Sequence, residues 1–583
     1  MVKGVRPGIG VYTIPELVER ARREFGQYVF ARKRQPNGEY STTTYEQLYE
    51  DVVRLGTALS LLGVGPGTRV AVIGENRYEW AVAYLAVLSG GAVCVPLDPQ
   101  LKEKELGGIM EKAGVEVVVS APSALATVKP LREVLARVRG IISMGEGEEG
   151  PAPVRGWAAT LAAGEGEKAR AGFLEREVEL DDLAVLLFTS GTTGTSKAAM
   201  LSHRNLGANV HQVYQALPFD ERDVFLSLLP LHHTFEATAG MLIPISGGSS
   251  ITYARSFKSK EIVEDLRGAG VTMMCGVPLL YEKMLGGLRR AINDAPPLTR
   301  ALFHTMMAVT RAAHVLTGAN FGKLFFAGLR KKAGLETIRM FISGAAPLKA
   351  EVARTFYYLG LNLLPGYGLT ETSPVVSVNP LDRIKFASSG VIIPGVEVRI
   401  SNPDAEGVGE VAVAGDNIMV GYYEDPALTQ SVLRDGWLYT GDAGWLDREG
   451  YIYITGRIKN VIVTAAGKNV YPEEIEAELA ASPVVAEVAV MPMSDPSTGR
   501  ETVGAVVFPD YEYLEGEAAR AGEPFDDAFA ERQVRDAVGA CSQTLADYKR
   551  VKIIKIRKEE FPKTTTRKIK RYLFRDGEQI RES

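Results

Sequence analysis

One stretch constrains this chain more than any other: Thr189-Ser190-Gly191-Thr192-Thr193-Gly194-Thr195-Ser196-Lys197. An apolar run at 183–188 leads into it and a second, 198–201, follows directly, so the order reads strand, loop, strand. Small residues let a ligand approach the backbone closely, amides and hydroxyls donate to oxygens, and Lys197 adds a positive charge. Those groups suit a polyphosphate. A Walker A loop would end in Gly-Lys-Ser/Thr and open a helix, and this stretch does neither.

The rest of the chain is read around that loop. At 583 residues it exceeds one core, and 46% hydrophobic with 23% charged residues is the balance of a soluble globular protein. A net charge of −5 argues against a nucleic-acid partner. Cys94, Cys275 and Cys541 have no metal-ligand spacing and read as reduced thiols packed in a cytoplasmic protein. Residues 80–97 are apolar, but Ser89-Gly90-Gly91 and Pro96 break them into helix, turn and strand. The expected location is therefore cytoplasmic, with contact at the inner face of the membrane left open.

Apolar runs at 69–73, 92–97 and 115–119, separated by helical patterns, predict an α/β fold with parallel strands. Thr44 and Gln47 have capping-box spacing for a helix start. Residues 145–175 and 512–530 read as exposed excursions rich in Gly, Ala and Glu. Residues 296–335 are helical in pattern with scattered basic residues, and Leu324-Phe325-Phe326 reads as a core face. Short β segments at 385–458 predict a small barrel or sandwich. The pattern restarts after Lys459 as a compact α+β unit, giving domains of 1–458 and 459–583.

Candidate chemistry lies in Gly-rich turns and at strand ends, where α/β proteins hold ligands. Tyr367, between Gly366 and Gly368, offers a ring to a flat base. Glu371 and Thr370 pair a carboxylate for a hard cation with a hydroxyl for phosphate. Asp442 is an acceptor for ribose hydroxyls, and Arg457 brings a planar fork to ribose or phosphate. His232 and His233 have no third ligand at useful spacing, so they read as a pocket wall and not as zinc ligands. A basic run, 562–571, ends the set.

In combination, the motifs at 189–197, 230–236, 343–348, 367–372, 440–442, 456–459 and around Lys568 resemble the AMP-forming acyl-CoA synthetase superfamily, which also holds beetle luciferases and peptide-synthetase adenylation domains. The resemblance runs from about residue 40 to 575 and is strongest to bacterial long- or medium-chain fatty acid ligases. It implies a large α/β domain and a small mobile C-terminal domain. ATP, Mg²⁺ and CoA are the implied cofactor and co-substrates, and a fatty acid is the implied substrate.

Under that resemblance Thr189, Ser190, Gly191, Thr192, Thr193, Gly194 and Lys197 would hold the outer phosphates. Tyr367 would stack on adenine, with Gly368 beside it. Thr370 would meet the α-phosphate and Glu371 would bind Mg²⁺, while Asp442 and Arg457 would hold ribose. His233 would stand where the acyl pocket meets the α-phosphate, and Gly344, Ala345 and Ala346 would line both sites. Lys568 would bridge substrate carboxylate and α-phosphate, Lys459 would be the hinge, and Gly467 would approach the pantetheine channel.

Two features leave alternatives open. Arg567 stands where the family has Gly before the catalytic Lys, a position where φ > 0 costs Arg more than Gly. It is the one hint of a nucleotide-binding regulator without turnover. Lys549, Arg550, Lys552 and Lys555 suit either the CoA phosphate or an acidic acyl carrier protein as acceptor. Chain length of the acid and a homodimer also stay open.

Overall fold

The computed structural model describes residues 9–148, 154–189, 197–463, 468–495, 501–563, 569–575 and 577–579. Two large sheets carry the N-terminal part. In the eight-stranded sheet, Arg69–Ile73 lies between the parallel strands Val93–Leu97 and Val117–Ser120. Leu183–Thr189 extends it in parallel, and Lys197–Ser202 then returns antiparallel. The nine-stranded sheet has a parallel centre, running through Ser250–Tyr253, Val224–Ser227, Met273–Gly276, Met340–Ser343 and Asn362–Gly368.

The apolar segment that raised the membrane question is core. Helix Tyr78–Ser89 is buried from Trp80 to Leu88, and Val93–Leu97 follows as a fully buried strand. Among the described residues no helix is long and apolar enough to cross a membrane. Thr44 caps helix Tyr45–Leu61 reciprocally with Gln47, as its spacing predicts.

Several expectations are corrected. Within 145–175 stand the helices Trp157–Ala163 and Glu167–Leu174, not an exposed connection. Phe173 is buried against Gly56, where any Cβ would lie 2.2 Å from its ring, so the missing side chain on one helix seats the other. In 512–530, Leu514 and Ala518 of helix Tyr511–Ala521 are buried. Strand Val391–Ile392, assigned by sequence to the small β unit, instead pairs with Val375–Val378 at the edge of the nine-stranded sheet. The small β unit is a five-stranded antiparallel sheet that begins at Val396–Ser401. Leu324 and Phe326 part company: the first is 72% exposed, the second buried.

Beyond residue 459, strands Val485–Ser494, Glu501–Pro509 and Ile553–Ile556 form a three-stranded sheet. Helix Pro472–Leu479 packs on it through Ile475 and Leu479, with Pro in its first turn. Lys349 reaches across to this smaller unit, its Nζ donating to the Ala480 carbonyl at 2.7 Å.

Candidate active site

Strand ends of both sheets converge on one edge. Thr189 and Lys197 face each other across the antiparallel pair that brackets the opening loop. Lys197 Nζ donates to Glu371 Oε1 at 2.7 Å and to the Tyr422 hydroxyl at 2.6 Å, and that hydroxyl donates to the same Glu371 oxygen at 2.7 Å. Burial pushes the Glu371 carboxyl up, but the Lys197 ammonium and the Tyr422 hydroxyl outweigh it and leave the group below its usual range. Glu371 therefore remains an anion.

Glu371 sits in the 3₁₀ turn Thr370–Thr372, just past strand Asn362–Gly368. The turn is stitched tightly: Leu369 N donates to the Pro374 carbonyl, and Met419 N donates to that of Glu371. Gly368 is required here, because a Cβ would lie 1.9 Å from the Pro374 oxygen. One residue back, the Tyr367 hydroxyl donates to Asp442 Oδ2 at 2.8 Å. Burial, and then the Asp442 carboxylate, hold that phenol well above its usual range.

Asp442 and Arg457 are cross-strand partners, with Arg457 Nε 2.9 Å from Asp442 Oδ1. A second Arg457 nitrogen donates to the Thr440 carbonyl at 2.9 Å. Lys459 lies close by: partial burial and then the Arg457 and Lys197 cations push it below the usual lysine range, and Asp442 opposes them. Lys197, Arg457 and Lys459 are thus three cations gathered about two carboxylates, a charge set suited to a polyphosphate beside a ribose.

On the other side lies the His233 loop. Asn76 clamps it, donating to the Ser227 hydroxyl at 2.9 Å and the Leu229 carbonyl at 2.6 Å, and accepting from Leu231 N at 2.9 Å. The His232 and His233 rings lie 4.3 Å apart. Burial pushes His232 down to about 4, so it is a neutral imidazole near Asp98. The Phe235 ring covers Gly344, where a Cβ would come within 3.1 Å of it. Gly344 opens the turn after Met340–Ser343, and Ala345 in that turn has φ +68°, a strained region for a residue with a Cβ. The π-helical turn Glu236–Leu242 that follows is wholly buried.

Ser190, Gly191, Thr192, Thr193, Gly194, Gly467 and Lys568 lie outside the described residues, as does Arg567. The flanks of the Lys568 segment do meet, in an antiparallel bridge between Lys563 and Ile569. Lys563 is tied to Glu487 and to Glu560, which gives it an anchoring role. Of the basic residues considered for CoA, Lys549, Arg550 and Lys555 are paired with Glu474, Asp547 and Glu578.

Two residues of the site escaped sequence reasoning. Tyr422 meets Lys197 across a separation of 225 residues, through pairing of Gly421–Tyr422 with Lys197–Ser202, and no local pattern marks it. Glu236 was visible in its motif, yet its state was not. Neither of its oxygens makes a well-aligned hydrogen bond, and burial raises its carboxyl from 4.5 to about 8, with the Ser227 hydroxyl and the Leu228 and Leu229 amides only partly opposing. The folded protein holds this proton more tightly than the unfolded chain. Its contribution is full below about pH 4.5 and is lost as pH rises toward about 8, on the order of 5 kcal/mol in all. Glu236→Gln is expected to flatten that dependence. Thermal melts across this window should show the variant gaining on the parent as pH rises, and a constant difference would contradict it.

No group of three or more His, Cys, Asp and Glu among the described residues is arranged to hold a metal. Glu371 nevertheless fits Mg²⁺, which is commonly held by one carboxylate together with substrate phosphates.

The fold and the convergent edge are those of an adenylate-forming enzyme. The chain belongs to the AMP-binding enzyme family: that family's model matches residues 18–423, and the AMP-binding enzyme C-terminal domain matches 474–568. A feruloyl-CoA synthase of Amycolatopsis sp is 31% identical over 486 residues, 81% of this chain and 85% of its own. A long-chain-fatty-acid–CoA ligase of Escherichia coli is 28% identical over 544 residues, 88% and 86% of the two chains. The structure of ATP-bound MatB from Rhodopseudomonas palustris matches with a TM-score of 0.73 at 28% identity, over 96% of this chain and 98% of that one. These relatives put the chain in the AMP-forming acyl-CoA ligase class, and they differ among themselves in the acid they take.

Proposed function

We propose that the chain activates a fatty acid with ATP as the acyl-adenylate, releases pyrophosphate, and transfers the acyl group to CoA. The observation that carries this is the gathering of Lys197, Arg457 and Lys459 about Glu371 and Asp442 on one edge. In this reading Tyr367 presents its ring to adenine while its hydroxyl orients Asp442 toward the ribose, which Arg457 shares. Lys197 and the loop 189–197 grip the outer phosphates, and Thr370 the α-phosphate. His233 and the turn Gly344, Ala345, Ala346 bound the place where the carboxylate meets it. Mg²⁺, when bound at Glu371, would neutralise phosphate charge. Lys568 holds the attacking carboxylate against the α-phosphate, and rotation about Lys459 then brings Gly467 to the thiol channel. Catalysis is positioning with charge neutralisation and needs no protein nucleophile.

A fatty acid is favoured by the apolar residues that follow His233, namely Phe235, Ala237, Ala239 and Met241, among which the one carboxyl, Glu236, is held neutral by burial. Pyrophosphate release measured with straight-chain acids of graded length and with ferulate tests it. The rate constant kcat/KM is expected to rise with chain length and to exceed that for ferulate by about tenfold or more. Preference for ferulate would overturn the substrate, and no release with any acid would favour the regulator. Competition between CoA and a holo-acyl carrier protein identifies the acceptor.

A further inference from the structure

Helix Pro472–Leu479 of the smaller unit meets the larger one at both of its ends. At its start, strand Ile452–Arg457 packs so closely that Gly456 has no room for a Cβ beside Glu473 and Tyr471. At its far end the Lys349 Nζ donates to the Ala480 carbonyl at 2.7 Å, across 131 residues of sequence. Arg571, three residues beyond Lys568, is ion-paired with Glu476 in the middle of the same helix, so a flank of the Lys568 segment is fastened to it.

The Ala480 contact is suited to a cation. Ala480 closes the helix, where carbonyls have no partner within the helix and the dipole is negative. Glu282, on helix Pro278–Asn293, stands 3.5 Å from the same ammonium and steadies it from the larger unit. Lys349 also ends the turn that opens with Gly344 and Ala345, so one turn borders the candidate acyl site and touches the smaller unit.

The two ends differ in what a rotation does to them. Gly456 is three residues from Lys459, and a contact so near the hinge moves little. Ala480 lies eight helical residues further out, about 12 Å, so rotation about Lys459 carries its carbonyl away from Lys349. We propose that Lys349 is a positioning residue, a latch that holds residues 459–583 in one of the two orientations the half-reactions need and so sets the balance between them. This rests on the rotation about Lys459 proposed above.

Both half-reactions are measured: pyrophosphate release with dodecanoate and ATP, and dodecanoyl-CoA formation from synthetic dodecanoyl-AMP. Lys349→Met keeps the stem and removes the donor. It is expected to slow one half-reaction about fivefold or more while the other holds or quickens, at a melting temperature near the parent's. Lys349→Arg keeps a donor and a charge, and is expected to restore the balance to within about twofold. Which half-reaction slows is fixed independently by the double variant Lys349→Cys with Ala480→Cys, joined by a short bismaleimide to lock the observed orientation. The half-reaction that survives the lock must be the one that Lys349→Met slows. The parent treated alike controls for half-buried Cys541, since Cys94 and Cys275 are buried. An unchanged balance, equal loss in both, no rescue by Lys349→Arg, or a mismatch with the lock would overturn the latch and leave the rotation standing. A parent that makes no dodecanoyl-CoA from dodecanoate, ATP and CoA would instead overturn the reading on which the latch rests.

Discussion

Lys568→Ala is expected to slow acyl-adenylate formation by about a hundred- to a thousandfold, while thioester formation from supplied acyl-AMP stays within a few-fold of the parent. The reason is that negative charge builds where the carboxylate meets the α-phosphate, and a lysine placed there stabilises that charge only in the first half-reaction. The neighbouring lysine Lys563 is a poor substitute, since Glu487 and Glu560 already hold its ammonium. The two half-reactions are measured separately, by pyrophosphate release and by acyl-CoA formation from synthetic acyl-AMP. Equal loss in both would remove Lys568 from the role.

Glu371→Gln is the second large effect. The substitution keeps the shape and removes the charge, which Lys197 and Tyr422 now hold below the usual carboxylate range. ATP–pyrophosphate exchange is expected to fall by about a hundred- to a thousandfold, with Glu371→Asp retaining more than Glu371→Gln. A melting temperature close to the parent's would place the defect in the site rather than the fold. Exchange at the parent rate would mean that the carboxylate serves only to seat Lys197.

The turns that carry the candidate site were legible because each follows a buried apolar run, and a Gly- or Thr-rich break after a strand has few other uses. Tyr367, Thr370, Glu371, Asp442 and Arg457 all come from such breaks, and the structure brings them to one edge. What stayed hidden depends on distance in sequence or on burial. Tyr422 joins the site by strand pairing, and Lys459, expected as a hinge, also lies within electrostatic reach of Lys197. The helices near residue 160 were missed because Ala, Gly and Glu read as solvent-facing, although Phe173 rides on Gly56. Helix Pro297–Thr317 was read as helical, but apolar residues on opposite faces leave its outward side undefined until the packing is seen.

The central claim is that a carboxylate attacks the α-phosphorus of ATP. Incubating the enzyme with ATP, CoA and a fatty acid carrying heavy oxygen in its carboxyl group tests it directly by mass spectrometry of the products. One carboxyl oxygen should be found in AMP, with none in pyrophosphate. AMP without label, or label in inorganic phosphate beside ADP, would contradict the account.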